Sequence, residues 1–86
     1  MKLPSYGTKH CKDSVWEKAI IVSGKDPGLY RKDTKGNVLY YKSYGKYTKM
    51  GWQIDHIKPQ AKGGSHYIRN LQALQSIENI MKSDKY

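Results

Sequence analysis

The chain has 86 residues, 37% of them hydrophobic, with 16 Lys/Arg against 7 Asp/Glu and a net charge of +9. That length holds one small domain, burying roughly 60–65% of its unfolded surface. The lone cysteine, Cys11, excludes an internal disulfide and a cysteine-rich zinc site, and no run approaches the ~20 apolar residues of a membrane span.

Residues 1–12, with Pro4, Gly7 and scattered lysines but no periodicity, are expected to form a basic arm. Ser14 with Glu17 makes a capping-box pattern. Val15, Trp16, Ala19 and Ile20 then share one face, which predicts a helix over about 14–22 with Trp16 as a core anchor. The Ser-Gly-Lys-Asp-Pro-Gly run at 23–28 ends it. Two β-forming runs, 29–31 and 38–41, flank Lys35-Gly36-Asn37, so a hairpin is expected. Tyrosine and lysine are interleaved from there to residue 49. This segment reads either as a platform that widens a thin core or as a tyrosine-lined grip on a phosphate backbone.

Residues 52–57 follow as a strand, 58–65 as a loop turned by Gly63-Gly64, and 68–74 as a second strand. Ser76 is expected to cap a last helix over 76–83. On that helix Ile77, Ile80 and Met81 form an apolar stripe, and Asn79 and Lys82 fall on roughly the opposite side. If Asn79 works in a site with the first strand, the stripe must pack elsewhere, on the N-terminal half or on a second copy of the chain. His66, in the loop, is expected to be exposed.

The charge is uneven. Residues 1–50 carry 11 basic against 4 acidic side chains, residues 51–86 carry 5 against 3. Such an excess attracts polyanions, nucleic acid first. The start of the chain lacks the apolar run of a signal peptide, and a cytoplasmic, reducing location is the expectation.

The chemistry concentrates after residue 50. Hydrolysis of a phosphodiester needs a nucleophile at neutral pH, neutralisation of charge on phosphorus and help for the leaving oxygen. A neutral imidazole takes a proton from water near pH 7, and His56 offers one. Asp55 and Asn79 offer a carboxylate and an amide oxygen, hard donors suited to Mg²⁺ or Mn²⁺. Lys82, one turn after Asn79, brings a positive charge. Neighbours in a regular strand point to opposite faces, so Asp55 and His56 can share a site only if the strand ends or bulges there.

The ordered set D-H-I-x-P at 55–59, G-G at 63–64, N-L-Q-x-L at 70–74 and N-x-x-K-S-D at 79–84 resembles the HNH endonuclease family, in the variant with Asn at the last motif position. The resemblance implies an α+β fold, with a C-terminal ββα-metal motif over about 51–85 behind an N-terminal helix and a β-hairpin. The nuclease domain would then cover 13–86. It also implies that His56 is the general base, that Asp55 and Asn79 hold one Mg²⁺ or Mn²⁺ ion per chain, and that Asn70 fixes the loop and orients the base through a hydrogen bond. Lys82 matches a recurrent basic position. The paired CxxC zinc sites of some relatives are absent. The implied activity is metal-dependent hydrolysis of DNA, with double-stranded DNA as the expected partner, no membrane, and a homodimer suited to double-strand cutting. The alternatives are a basic DNA-binding module on the same fold without activity, and an interaction protein whose charge serves solubility.

Overall fold

A computed structural model of the chain describes residues 9–83. The first helix, α1, runs Lys9–Lys18, earlier than apolar periodicity predicts. Residues 9–12, read as part of an arm, are therefore helical, and residues 1–8 of that arm lie outside the described residues. Ser14 sits inside the helix rather than at its cap. Cys11, Val15 and Trp16 form the buried face. The helix stops at Lys18 because its end is met from outside: the Arg31 guanidinium donates to the carbonyls of Glu17 at 3.0 Å and Ala19 at 3.1 Å. Those are among the carbonyls a helix leaves without internal partners.

Ile20 and Ile21, expected to finish the helix, instead form β1 (Ile20–Ile21). It pairs antiparallel with β2 (Tyr30–Lys32), which pairs antiparallel with β3 (Val38–Tyr40). β-Branched side chains favour this extended choice. The expected hairpin is present, with Gly36 turning at φ +88°, a conformation costly for any residue with a Cβ. Asp33, 2% exposed, organises the turn. Its Oδ1 accepts from the backbone of Lys35 and Asn37, and its Oδ2 accepts from Asn37 Nδ2 at 3.1 Å and Gln75 N at 3.0 Å. One carboxylate thus ties the hairpin to the C-terminal half.

That half is a second, two-stranded antiparallel sheet of β4 (Trp52–His56) and β5 (Leu71–Gln75), followed by α2 (Ser76–Ser83). The strand–loop–strand–helix order is the one the motif implies. Residues 68–70, expected to open β5, form a short 3-10 turn. Ser76 does not cap α2. Gln75 does so, its Oε1 accepting from Glu78 N at 2.9 Å, while the Ser76 hydroxyl donates to Lys46 O at 2.7 Å.

The core joins α1 to both sheets: Cys11, Val15 and Trp16 pack with Leu39, Trp52, Ile54, Leu71 and Ala73. Trp16 and Trp52 lie 5.0 Å apart by ring centroids, and Tyr44 meets Trp52 edge-on at 4.8 Å. Tyr41 and Tyr44 pack against this cluster, so this part of the tyrosine-rich segment serves as the platform. Lys18 reaches from the end of α1 to donate to Ile68 O at 2.6 Å and to Leu71 O, and burial lowers its pKa.

Candidate active site

β4 ends at His56, which resolves the conflict between neighbouring side chains. Asp55 keeps its place in the pleat, opposite Gln72 of β5, and is buried at 6% exposure. His56 is the last paired residue, and both line one cavity of about 310 Å³. The far wall comes from α2, through Asn79 and Lys82. Pro59, Gln60 and Ala61 of the loop close the rim. The polar side of α2 therefore faces β4. Its apolar stripe is left outward: Ile77, Ile80 and Met81 are 49%, 47% and 52% exposed. The described part of the N-terminal half does not cover it, contrary to one of the two expectations.

Asp55 is held tightly. Its Oδ2 accepts from Gln72 Nε2 at 2.8 Å and from Lys82 Nζ at 2.7 Å. The same ammonium donates to the carbonyl of His56 at 2.9 Å and that of Ile57 at 3.4 Å. Lys82 thus braces the strand end as well as adding charge to the cavity. Gln72 stands in the N-L-Q-x-L motif without an expected role, although its place opposite Asp55 follows once the strands are paired.

Asn70 ties the ends of the loop together. Its Oδ1 accepts from Lys58 N at 2.8 Å, and its Nδ2 donates to Lys58 O at 3.1 Å and Ser65 O at 2.8 Å. Between those anchors the chain doubles back so closely that a Cβ on Gly64 would sit 1.7 Å from Lys58 O. Glycine is required there for space. The ring of His56 is met not by the Asn70 side-chain bonds just described but by His66: Nε2 of the first lies 2.8 Å from Nδ1 of the second. His66 is half-buried, not exposed as expected. Its position ten residues from His56, in a loop closed on itself, was the available signal.

Burial lowers the pKa of His56, and the neighbouring His66 and Lys82 lower it further, with Asp55 opposing. The neutral, basic ring is thereby favoured at pH 7. The oxygens of Asp55 and Asn79 on two walls of the cavity are hard donors. Among the described residues no group of three or more His, Cys, Asp or Glu is placed to hold an ion. Two oxygen donors of this kind suit a hard divalent cation that completes its shell with water.

No helix of the described residues is long and apolar enough to cross a membrane. Comparison with curated proteins and with solved structures yields no match. The family model described as HNH endonuclease matches residues 42–85, 44 of the 86 residues. The match takes in β4, the loop, β5 and α2, and with them every side chain that lines the cavity. A chain built in this way over that span belongs to the HNH endonuclease family.

Proposed function

We propose that the protein is a divalent-metal-dependent endonuclease that hydrolyses phosphodiester bonds in DNA. HNH nucleases act on nucleic acid, and the surplus of 16 basic over 7 acidic side chains suits such a polyanion. The observation that carries the reading is the meeting of Asp55 and His56 from β4 with Asn79 and Lys82 from α2 around one cavity.

In this reading His56 takes a proton from the attacking water. Asp55 and Asn79 would hold Mg²⁺ or Mn²⁺. An ion bound there would supply neutralisation of the scissile phosphate and support for the leaving oxygen. Lys82 and Gln72 fix the Asp55 carboxylate, and Asn70 holds the loop that rims the cavity.

The test is plasmid cleavage with Mg²⁺ or Mn²⁺, with and without chelator, beside His56→Ala. The parent nicks or cuts, chelator stops it, and His56→Ala loses about 10²- to 10⁴-fold in rate. Equal rates in parent and variant would remove the assigned base. Binding without cleavage by the parent would leave the DNA-binding module.

A further inference from the structure

The imidazole of His56 is one end of a chain of three side chains. Its Nε2 meets Nδ1 of His66 at 2.8 Å, the two rings standing 4.9 Å apart by centroid and inclined by 62°. The outer nitrogen of His66, Nε2, meets the side-chain amide of Gln60 at 2.8 Å. Gln60 and His56 both line the cavity, so the chain leaves it at the base and returns to it at the rim. His66 is set in place by its neighbour, because Ser65 O accepts from Asn70 Nδ2 at 2.8 Å.

A neutral imidazole carries one N–H and one lone pair. Two neutral rings joined Nε2 to Nδ1 therefore have two arrangements. In one, His56 donates from Nε2 to His66, and Nδ1 is the basic nitrogen of His56. In the other, His66 donates from Nδ1 to His56, and the lone pair of His56 is taken up by that contact. Only the first leaves His56 able to accept a proton from water. It also puts the N–H of His66 on Nε2, facing Gln60, whose amide nitrogen stands 2.8 Å away; this arrangement therefore takes the Gln60 amide turned by half a turn, so that its oxygen accepts from His66.

We propose that His66 is a positioning residue for His56: it accepts the Nε2–H of His56, holds the ring and sets Nδ1 as its basic nitrogen, steadied by Gln60. The role of His66 in catalysis rests on His56 being the base, but the geometry between the rings does not. The orienting role that family resemblance gives to Asn70 is in this chain relayed through Ser65 and His66.

The test uses two readouts on the parent, His66→Ala and His66→Asn. Asparagine retains an acceptor oxygen near the place of Nδ1. Long-range ¹H–¹⁵N spectra of the imidazoles, recorded without metal, should show His56 of the parent as the Nε2–H form. His66→Ala should show a mixture of both forms, and His66→Asn should restore the parent pattern. In plasmid cleavage His66→Ala should lower kcat about 10- to 100-fold, the order expected for a misplaced group, with KM for DNA changed less than about twofold. His66→Asn should recover most of that loss.

A parent with the proton on Nδ1 of His56 would overturn the proposal. So would an unchanged tautomer and kcat in His66→Ala, or a His66→Asn protein that is folded by circular dichroism yet as impaired as His66→Ala. If the parent cuts no DNA, the nuclease reading fails while the spectra still decide the pairing of the rings.

Discussion

At the scale of single residues, two side chains carry unusual weight. The pKa of His56 is lowered, first by burial and then by His66 and Lys82. Only the neutral ring accepts a proton, so the cleavage rate should rise with pH through a value below the ordinary 6.5 and be flat by neutrality. Single-turnover rates between about pH 5 and 8 at saturating metal check this. A rate still rising roughly tenfold per unit above pH 7 would mean that another group limits it. Asp33 is the second. Its two oxygens satisfy the hairpin turn and the buried N–H of Gln75, and losing them loosens the turn and strands that N–H away from water. Asp33→Ala should cost about 2–4 kcal/mol in denaturant unfolding, with Asp33→Asn costing less because an amide oxygen still accepts. An Ala variant within about 0.5 kcal/mol of the parent, the range of an ordinary surface change, would contradict this account. Nothing in the sequence marks Asp33 as buried, since its partner Gln75 lies 42 positions away.

At the scale of elements, the loop between β4 and β5 decides whether the site exists. It is drawn tight by Asn70 and by the approach of Gly64 to Lys58 O. A methyl group at 64 cannot be accommodated without moving backbone, so Gly64→Ala should open the loop. Amide hydrogen exchange over residues 58–66 should quicken and cleavage should fall at least about tenfold. The far-UV spectrum should change little, because the strands and helices do not pass through Gly64. Unaltered exchange would show that the loop yields more easily than its contacts imply. The elements also show where periodicity misleads. Ile20 matches a helical face and Ile21 falls within the predicted helix, but Arg31 takes the carbonyls at the end of α1, and the pair goes to a sheet edge instead. α2 was placed correctly, whereas its cap comes from Gln75, whose amide also reaches Thr48 and Lys49.

For the molecule as a whole, α1 and the β1–β3 sheet form a support on which the β4–β5–α2 unit rests, through Trp16 against Trp52 and Lys18 against the start of β5. Trp16→Ala should therefore destabilise both halves together, by about 3–5 kcal/mol, in one cooperative transition. Two separate transitions would show that the C-terminal unit stands alone. The net charge of +9 predicts DNA binding that weakens steeply with salt, by about 0.9 log units per log of salt for each phosphate contacted. Titrating the His56→Ala protein onto a duplex at about 50 and 200 mM salt should show at least a tenfold change, and salt-independent affinity would refute it. The α+β class, the hairpin and the order of β4, loop, β5 and α2 were legible in the residues alone, because motif spacing and local periodicity are written along the chain. The candidates Asp55, His56, Asn70, Asn79 and Lys82 were named from the motif, and all of them but Asn70 line one cavity. Long-range partners are not. The face of α2 turned to β4, Lys82 on Asp55, His66 on His56 and Asp33 beneath Gln75 each depend on how separate segments pack, and only tertiary structure brings such atoms within hydrogen-bond distance.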